Sequence, residues 1–266
     1  MDKQPLEIEV ADGIAWLRLN RGVRLNALTW DMLRLLTTAF EELEDDDRIR
    51  ASVLIGSDGT FCAGADIEMM ATLSLEEFRG FCEEIQQLTR IIRRLSFPVI
   101  AAVDGVAVGA GCEIACLCDM RVGTDRVRMG FPEAGVGLVV TSGASWLLPR
   151  LVGTGWARRL LFTAQLVDAH LAERIGLLDE VVPQGELEER SAEIANRVAS
   201  QSPAAIDAAR GLQNLAESGD IESALQGEVD LIAKLKAGDE AAEGLTSFLE
   251  RRKPRWANKL AERGQV

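Results

Sequence analysis

The stretch PVIAAVDGVAVGAGCEIACLCD, residues 98–119, with MGFPEAGVGL at 129–138, decides how this chain is read. Residues 99–103 are apolar without alternation, the mark of a strand buried on both faces. Gly105, Gly109 and Gly111 follow, at backbone turns that only glycine makes easily. Glu113 and Glu133 stand almost alone in these apolar, glycine-bearing surroundings. A carboxylate taken out of water is costly unless it is paired or put to work. The short segment from Gly111 through Leu117 reads as a helix with Glu113 in its first turn, where backbone N–H groups are left without partners.

Working outward, residues 75–95 place Phe78, Cys82, Ile85, Leu88, Ile92 and Leu95 at helical spacing, and Pro98 ends that helix. Residues 61–66, FCAGAD, are irregular and feed it. Residues 51–55 form a short buried strand, followed by a turn at Ser57-Asp58-Gly59. Thr29 is placed to cap a helix over 29–43, and the acidic run 41–47 reads as its solvated end. Strands at 6–10 and 14–19 flank a tight turn at Asp12-Gly13. The loop 20–27 carries Arg21 and Arg24 as exposed charges. On the far side, helices are expected at 143–150, 156–165 and 168–176, then a strand at 178–182. From 185 onward the pattern is helical, with breaks at Ser202-Pro203, Gly219, Gly238 and Pro254. The fold class is α/β, and no linker divides the core.

Composition limits the function classes. A net charge of −13 over 266 residues argues against nucleic acid or an anionic membrane as partner, and 47% hydrophobic residues suffice for a substantial core. The opening MDKQPLEIEV is too polar for a signal peptide, and no apolar run reaches the length of a membrane span. Cys62, Cys82, Cys112, Cys116 and Cys118 are odd in number and lie largely in apolar segments, as buried free thiols in a reducing compartment would. A cytoplasmic location follows as the expectation. No metal site is expected, since the cysteine cluster lacks metal-ligand spacing and a nearby histidine.

Several chemistries drop out. The spacing of Gly105, Gly109 and Gly111 is not a dinucleotide fingerprint, and no phosphate-loop motif occurs. The single histidine, His170, reads as a surface residue, and no G-x-S-x-G is present, which leaves a serine triad without support. Acid–base work by Glu113 and Glu133 remains. Either alone could serve structure: a glutamate at a helix start complements the dipole, and one after proline is often a loop residue. Together, beside free N–H groups at the start of the Glu113 helix and at Gly64-Ala65, they favour proton transfer next to a carbonyl.

At these residues the chain resembles the crotonase (enoyl-CoA hydratase/isomerase) superfamily, in its hydratase-like form. The resemblance runs through NRGVRLNALT, FCAGADI, the central motif, FPEAGVGL, LPRLVG, AERIGLLDEVV and FLERRKPRW, and so covers nearly the whole chain. It implies a spiral of β-β-α turns over residues 1–200 holding an acyl-CoA site, and a C-terminal helical region, 201–266, used in trimerisation. Homotrimers or dimers of trimers are the expected assembly. It implies a backbone oxyanion hole from Ala65 and Ala110, and Glu113 and Glu133 as catalytic residues. Coenzyme A contacts are implied for Arg24, Leu25, Ala27, Ala65, Asp66, Ile67, Glu68 and Ala110, with Asn26 in the same loop and Arg251, Arg252 and Lys253 as further candidates. No separate cofactor is implied, because coenzyme A enters as part of the thioester.

The implied reaction is addition of water to a 2-enoyl-CoA. Enoyl-CoA isomerisation, other acyl-CoA reactions such as hydrolysis or decarboxylation, and a non-catalytic acyl-CoA-binding role are the alternatives. The chain departs from the pattern in three places. Ala110 stands where many hydratases have glycine, and Gly22 where a proline is common. Val140-Thr141-Ser142-Gly143-Ala144 replaces a glycine-rich turn beside the acyl pocket. Thr141 and Ser142 read as helix caps or as pocket hydroxyls.

Overall fold

The first two strands show how local chemistry sets the frame. Asp12 and Gly13 both adopt left-handed backbone angles, φ 51° and 76°, and close a hairpin between β1 (Leu6–Ala11) and β2 (Ile14–Leu19). Thr29 then caps α1 (Trp30–Glu44), accepting from Met32 N, and the chain returns as β3 (Ala51–Gly56), parallel to β2. The computed structural model describes residues 4–256.

A short α2 (Ile67–Met70) precedes α3 (Leu75–Arg94). Ser74 and Glu77 form a reciprocal capping box at the start of α3. Next come β4 (Val99–Val103), β5 (Val106–Val108) and α4 (Ala110–Leu117), then β6 (Met120–Thr124) and β7 (Arg128–Gly130). After them the chain forms α5 (Ala144–Thr163), β8 (Leu166–Asp168), α6 (Ala169–Arg174), β9 (Glu180–Val182) and α7 (Leu187–Ala199). The last helices are α8 (Pro203–Ser218), α9 (Ile221–Lys236) and α10 (Asp239–Leu249). Gly153, at φ 75° and ψ 155°, breaks α5 into the two helices expected from the sequence.

Two sheets organise these elements. The larger has the order β1-β2-β3-β4-β6-β9, parallel except for β1; the smaller has the order β5-β7-β8. The chain alternates between them. β4 lies in the large sheet, β5 in the small one, and α4 follows; β6, β7 and α5 repeat the pattern. Residue Cys62 makes a parallel bridge to Ala107, so β3, the Cys62 segment and the helices α2 and α3 form an earlier turn of the same kind. This is the spiral of β-β-α turns.

β4 shows why its sequence lacks alternation. Val99, Ala101 and Val103 belong to the core shared with α1, α3 and α4, while Ile100 and Ala102 face a second core under Leu187, Ala195 and Ala199 of α7. The loop before α1 differs from expectation at Arg21. Its guanidinium is half-buried, donating to Ala27 O and pairing with Asp66 at 3.4 Å, whereas Arg24 is exposed as read. α8 is tied to the core by Arg210, which bonds Asp119 and the carbonyls of Ile92 and Leu95. Residues 257–266 of the expected helical region lie outside the described residues. No helix among the described residues is long and apolar enough to cross a membrane.

One contact locks two turns of the spiral together. A Cβ on Gly111 would lie 2.2 Å from Cys62 O, so α4 can rest on the Cys62 segment only without a side chain there. Gly111→Ala is therefore expected to lower unfolding free energy by about 1–3 kcal/mol through overpacking. Gly211→Ala, in α8 with open space around it, should be neutral or gain up to about 1 kcal/mol. Urea unfolding of both variants checks this; equal midpoints would show that the approach at Gly111 carries no constraint.

Candidate active site

The small sheet aligns the functional residues. Cys62 bridges Ala107, Ala107 pairs with Met129, and Met129 with Val167, a continuous row of buried residues. Three residues beyond the first two rungs stand Ala65 and Ala110, and just past the equivalent point of the third stands Glu133. The three turns thus deliver their site residues to one place.

Ala65 sits in a short parallel bridge with Leu28. Leu28 N donates to Gly64 O and Asp66 N to Leu28 O, which turns the Ala65 N–H the other way. Ala110 is the first residue of α4, so its N–H has no partner inside the helix. Neither N–H donates a hydrogen bond among the described residues. The two segments touch: a Cβ placed on Gly64 would be 3.5 Å from Ala110 N. Ala110 is not among the residues with positive φ, so its Cβ is accommodated without strain.

Glu113 is 2% exposed. Its Oε2 accepts three hydrogen bonds, from Thr141 N at 2.9 Å, Ser142 N at 2.8 Å and Ser142 Oγ at 2.6 Å. Glu133, in a 3-10 turn over Pro132–Val136, is treated oppositely. Its Oε2 is buried with no hydrogen-bond partner among the described residues. Burial, with the charge of Glu113 as a smaller contribution, pushes its carboxyl up to about 7. Gly109, at φ 55° and ψ −131°, lets the α4 start come close: a Cβ there would stand 3.2 Å from Glu133 Oε1.

These groups share a cavity with an empty volume of about 770 Å³, its open mouth included. Ala65, Ala110, Glu113 and Glu133 all line it. Its remaining wall is mainly apolar, from Met70, Phe78, Phe81, Leu138 and Val139, and includes no Lys, Arg or His among the described residues. Ile67 stands at the wall and is also 68% exposed.

The other sequence-singled residues lie around the Ala65 segment. Leu25 O accepts from Ala63 N, and Arg24 pairs with Glu68 at 3.1 Å on the surface. Asp66 caps α2 through Met69 N, and Ala27 O holds Arg21. Asn26 is fully buried and donates to Ser57 O and Thr60 O, which fixes the loop. Arg252 is engaged by Glu243 and Glu250, and none of Arg251, Arg252 and Lys253 lines the cavity. A Cβ at Gly22 would collide with the Asp58 side chain as it stands.

One feature went unread in the sequence, and one open alternative is decided by the structure. Phe78 and Cys82, expected in the core, face the cavity from α3. The capping role for Thr141 and Ser142 is overturned: α5 is capped by Gly143 in the left-handed region, without a side-chain bond. Thr141 lines the cavity, and Ser142 is fully buried with its hydroxyl on Glu113.

Two unpartnered backbone donors, a carboxylate held as an acceptor and a carboxyl pushed up to about 7 are the kinds of group that proton transfer beside a carbonyl requires. Comparison with known proteins narrows the class. The chain matches the description "Enoyl-CoA hydratase/isomerase" over residues 9–259. It is 38% identical to the crotonyl-CoA hydratase of Syntrophomonas wolfei, over 95% of this chain and 97% of that protein. It is 37% identical to the short-chain-enoyl-CoA hydratase of Clostridium acetobutylicum, with the same coverage. The crystal structure of an enoyl-CoA hydratase from Bacillus anthracis superposes with a TM-score of 0.92 at 30% identity, covering 94% of this chain and 98% of that one. The protein belongs to the enoyl-CoA hydratase/isomerase family.

The environment of Glu133 gives a pH signature of its own. Its folded carboxyl binds a proton more tightly than the ordinary carboxyl at 4.5. Its contribution to stability is thus complete below that value and is lost as pH rises through about 7. Glu133→Gln, which mimics the protonated form, should match the native protein in urea unfolding near pH 4.5, exceed it by a margin that grows as pH rises to about 7, and keep that margin above. A difference that is constant from pH 5 to 8.5 would contradict the shift.

Proposed function

We propose that the protein is an enoyl-CoA hydratase, adding water across the double bond of a 2-enoyl-CoA to give the 3-hydroxyacyl-CoA. The observation that carries this reading is the contrast between the two glutamates. The thioester oxygen accepts from Ala65 N and Ala110 N. Each such donor contributes roughly 3–4 kcal/mol to stabilising the enolate-like state. Glu113, its Oε2 occupied, uses Oε1 to take a proton from the water that attacks the β-carbon. Glu133 holds the proton delivered to the α-carbon, on the same face as that water. Proton return between the carboxyls restores the starting state.

Coenzyme A enters with the substrate, and no separate cofactor is required. Arg24, Leu25, Ala27, Asp66, Ile67 and Glu68, on the rim beside Ala65, are the proposed contacts for its nucleotide and pantetheine parts. Binding energy there would place the reacting carbons between the glutamates. The five free cysteines suit a reducing, cytoplasmic setting.

Self-association is proposed as well. Ile221, Leu225, Val229 and Ile232 form an exposed apolar stripe on α9, and Phe248 and Leu249 at the end of α10 are 82% and 81% exposed. A trimer, alone or paired into a hexamer, would cover such surfaces.

An isomerase reading requires a proton shuttle but no activated water, and so leaves one of the two carboxyls without a task.

Turnover tests these points. Purified protein should hydrate 2-enoyl-CoA thioesters with apolar tails, followed by loss of enoyl absorbance and by product mass. Turnover of 3-enoyl-CoA with no hydration of any 2-enoyl-CoA would favour the isomerase instead. Glu113→Gln and Glu133→Gln should each lower kcat by about 10²–10⁴ with little change in acyl-CoA affinity. Native-like kcat in either variant would remove that residue from the mechanism. Acyl tails ending in a carboxylate would meet two carboxyls and no cation among the described lining residues, so kcat/KM for them should fall on the order of 100-fold or more below an uncharged tail of equal length. Equal values would show that the tail does not lie in this cavity.

A further inference from the structure

The Val140–Ala144 segment, one of the three departures from the family pattern, is also the one that grips Glu113. Residues 141 and 142 are held from both sides. From α3, Thr89 Oγ1 is 3.1 Å from Ser142 O and Gln86 Nε2 is 3.4 Å from Thr141 O. From α4, the Glu113 carboxylate takes both backbone N–H groups and the Ser142 hydroxyl on a single oxygen. No hydrogen bond to Glu113 Oε1 occurs among the described residues, and Glu113 lines the cavity.

A backbone N–H pair alone would define where Oε2 sits but would permit the carboxylate to pivot about that point. A third donor arriving from a side chain on the same oxygen fixes the plane of the group. Ser142 is fully buried, with its hydroxyl 2.6 Å from the acceptor, so no water competes for the bond. The hydroxyl gives its one hydrogen to Glu113, and its oxygen caps no N–H group of α5. Glycine at position 142 would retain the backbone donors and lose this one.

We propose that Ser142 is a positioning residue for the hydration reaction: its hydroxyl occupies Glu113 Oε2, fixes the carboxylate plane and leaves Oε1 as the single basic atom facing the water. This rests on the hydratase reading for its catalytic consequence, and on geometry alone for the grip itself. The consequence belongs to kcat, because Ser142 touches neither the thioester oxygen donors nor the rim residues proposed for coenzyme A.

The test has two readouts. In the unliganded protein labelled with ¹³C at glutamate side-chain carboxyls, the Glu113 resonance is assigned by its loss in Glu113→Gln. Ser142→Ala should shift that resonance, and Ser142→Thr, which keeps a hydroxyl, should return it towards the native position. In turnover of a short 2-enoyl-CoA, Ser142→Ala should lower kcat about 10- to 100-fold, the range for loss of a hydrogen bond to a charged group. KM should stay within about threefold, as befits a loss confined to the transition state. Ser142→Thr should recover a large part of kcat.

An unshifted Glu113 resonance in Ser142→Ala would overturn the grip. A shifted resonance with unchanged kcat, in a native protein that hydrates, would overturn the positioning role and leave the hydratase reading intact. A shifted resonance in a native protein that hydrates no 2-enoyl-CoA would support the grip and refute the reaction assigned to the site. A loss in KM and thermal stability with kcat preserved would make Ser142 a structural residue only.

Discussion

A buried carboxylate has to be met by donors, and the bonds from residues 141 and 142 to Glu113 are the contact on which the site depends. Glu113 lies on a helix of eight residues, wholly buried between the small sheet and α5. Without those donors its charge would have no compensation in that core, and neutralisation would be the cheaper outcome. With them it is an oriented acceptor. The same bonds connect three helices, because the segment that donates is held by α3 on its other side and leads into α5. Glu133 across the cavity is left without such donors, and burial makes it the group that keeps its proton. Two side chains of one chemical type are thereby placed in opposite surroundings, one rich in donors and one without them.

The spiral explains how residues so far apart in the chain meet. Parallel pairing of the small sheet puts Cys62, Ala107 and Met129 in one row, and each segment leaves the row in the same direction. Free N–H groups arise where the backbone passes from sheet to helix, since there the strand bonds have ended and helical bonds have not begun. The fold therefore yields a donor pair as a by-product of its repeat, and the close approach at Gly111 keeps the pair together. The residues just past each junction add the chemistry: nothing acidic on the cavity side after Ala65, Glu113 one turn after Ala110, and Glu133 directly after Pro132.

Much of this was legible in the chain, and the limits have physical causes. The hairpin at Asp12-Gly13, the Thr29 cap and the doubly buried β4 arise from local rules that the tertiary structure does not override. The isolation of Glu113 and Glu133 among glycines pointed to their use before any partner was known. The three-residue strands β5, β7 and β8 are too short to display alternation, so the small sheet that aligns the site was invisible. On α3, helical spacing placed Phe78 and Cys82 on an apolar stripe, but spacing does not distinguish a core from a cavity wall. Ser142 was legible only as a choice between a helix cap and a pocket hydroxyl. A serine before a glycine at a helix start looks like a cap, and only its distance to a glutamate 29 positions earlier reveals the other role.

The central claim is that Glu133 holds the proton of the resting site, opposite Glu113 fixed as a hydrogen-bond acceptor. The pH dependence of kcat/KM for hydration of a short 2-enoyl-CoA tests this most directly, because it reports ionisations of the free enzyme. The account predicts a fall of about tenfold per pH unit above about pH 7, the value at which Glu133 releases its proton. Dehydration of the matching 3-hydroxyacyl-CoA should follow the same curve, since hydration consumes no net proton. A kcat/KM that is flat from pH 6 to 9, or that rises through pH 7, would contradict it.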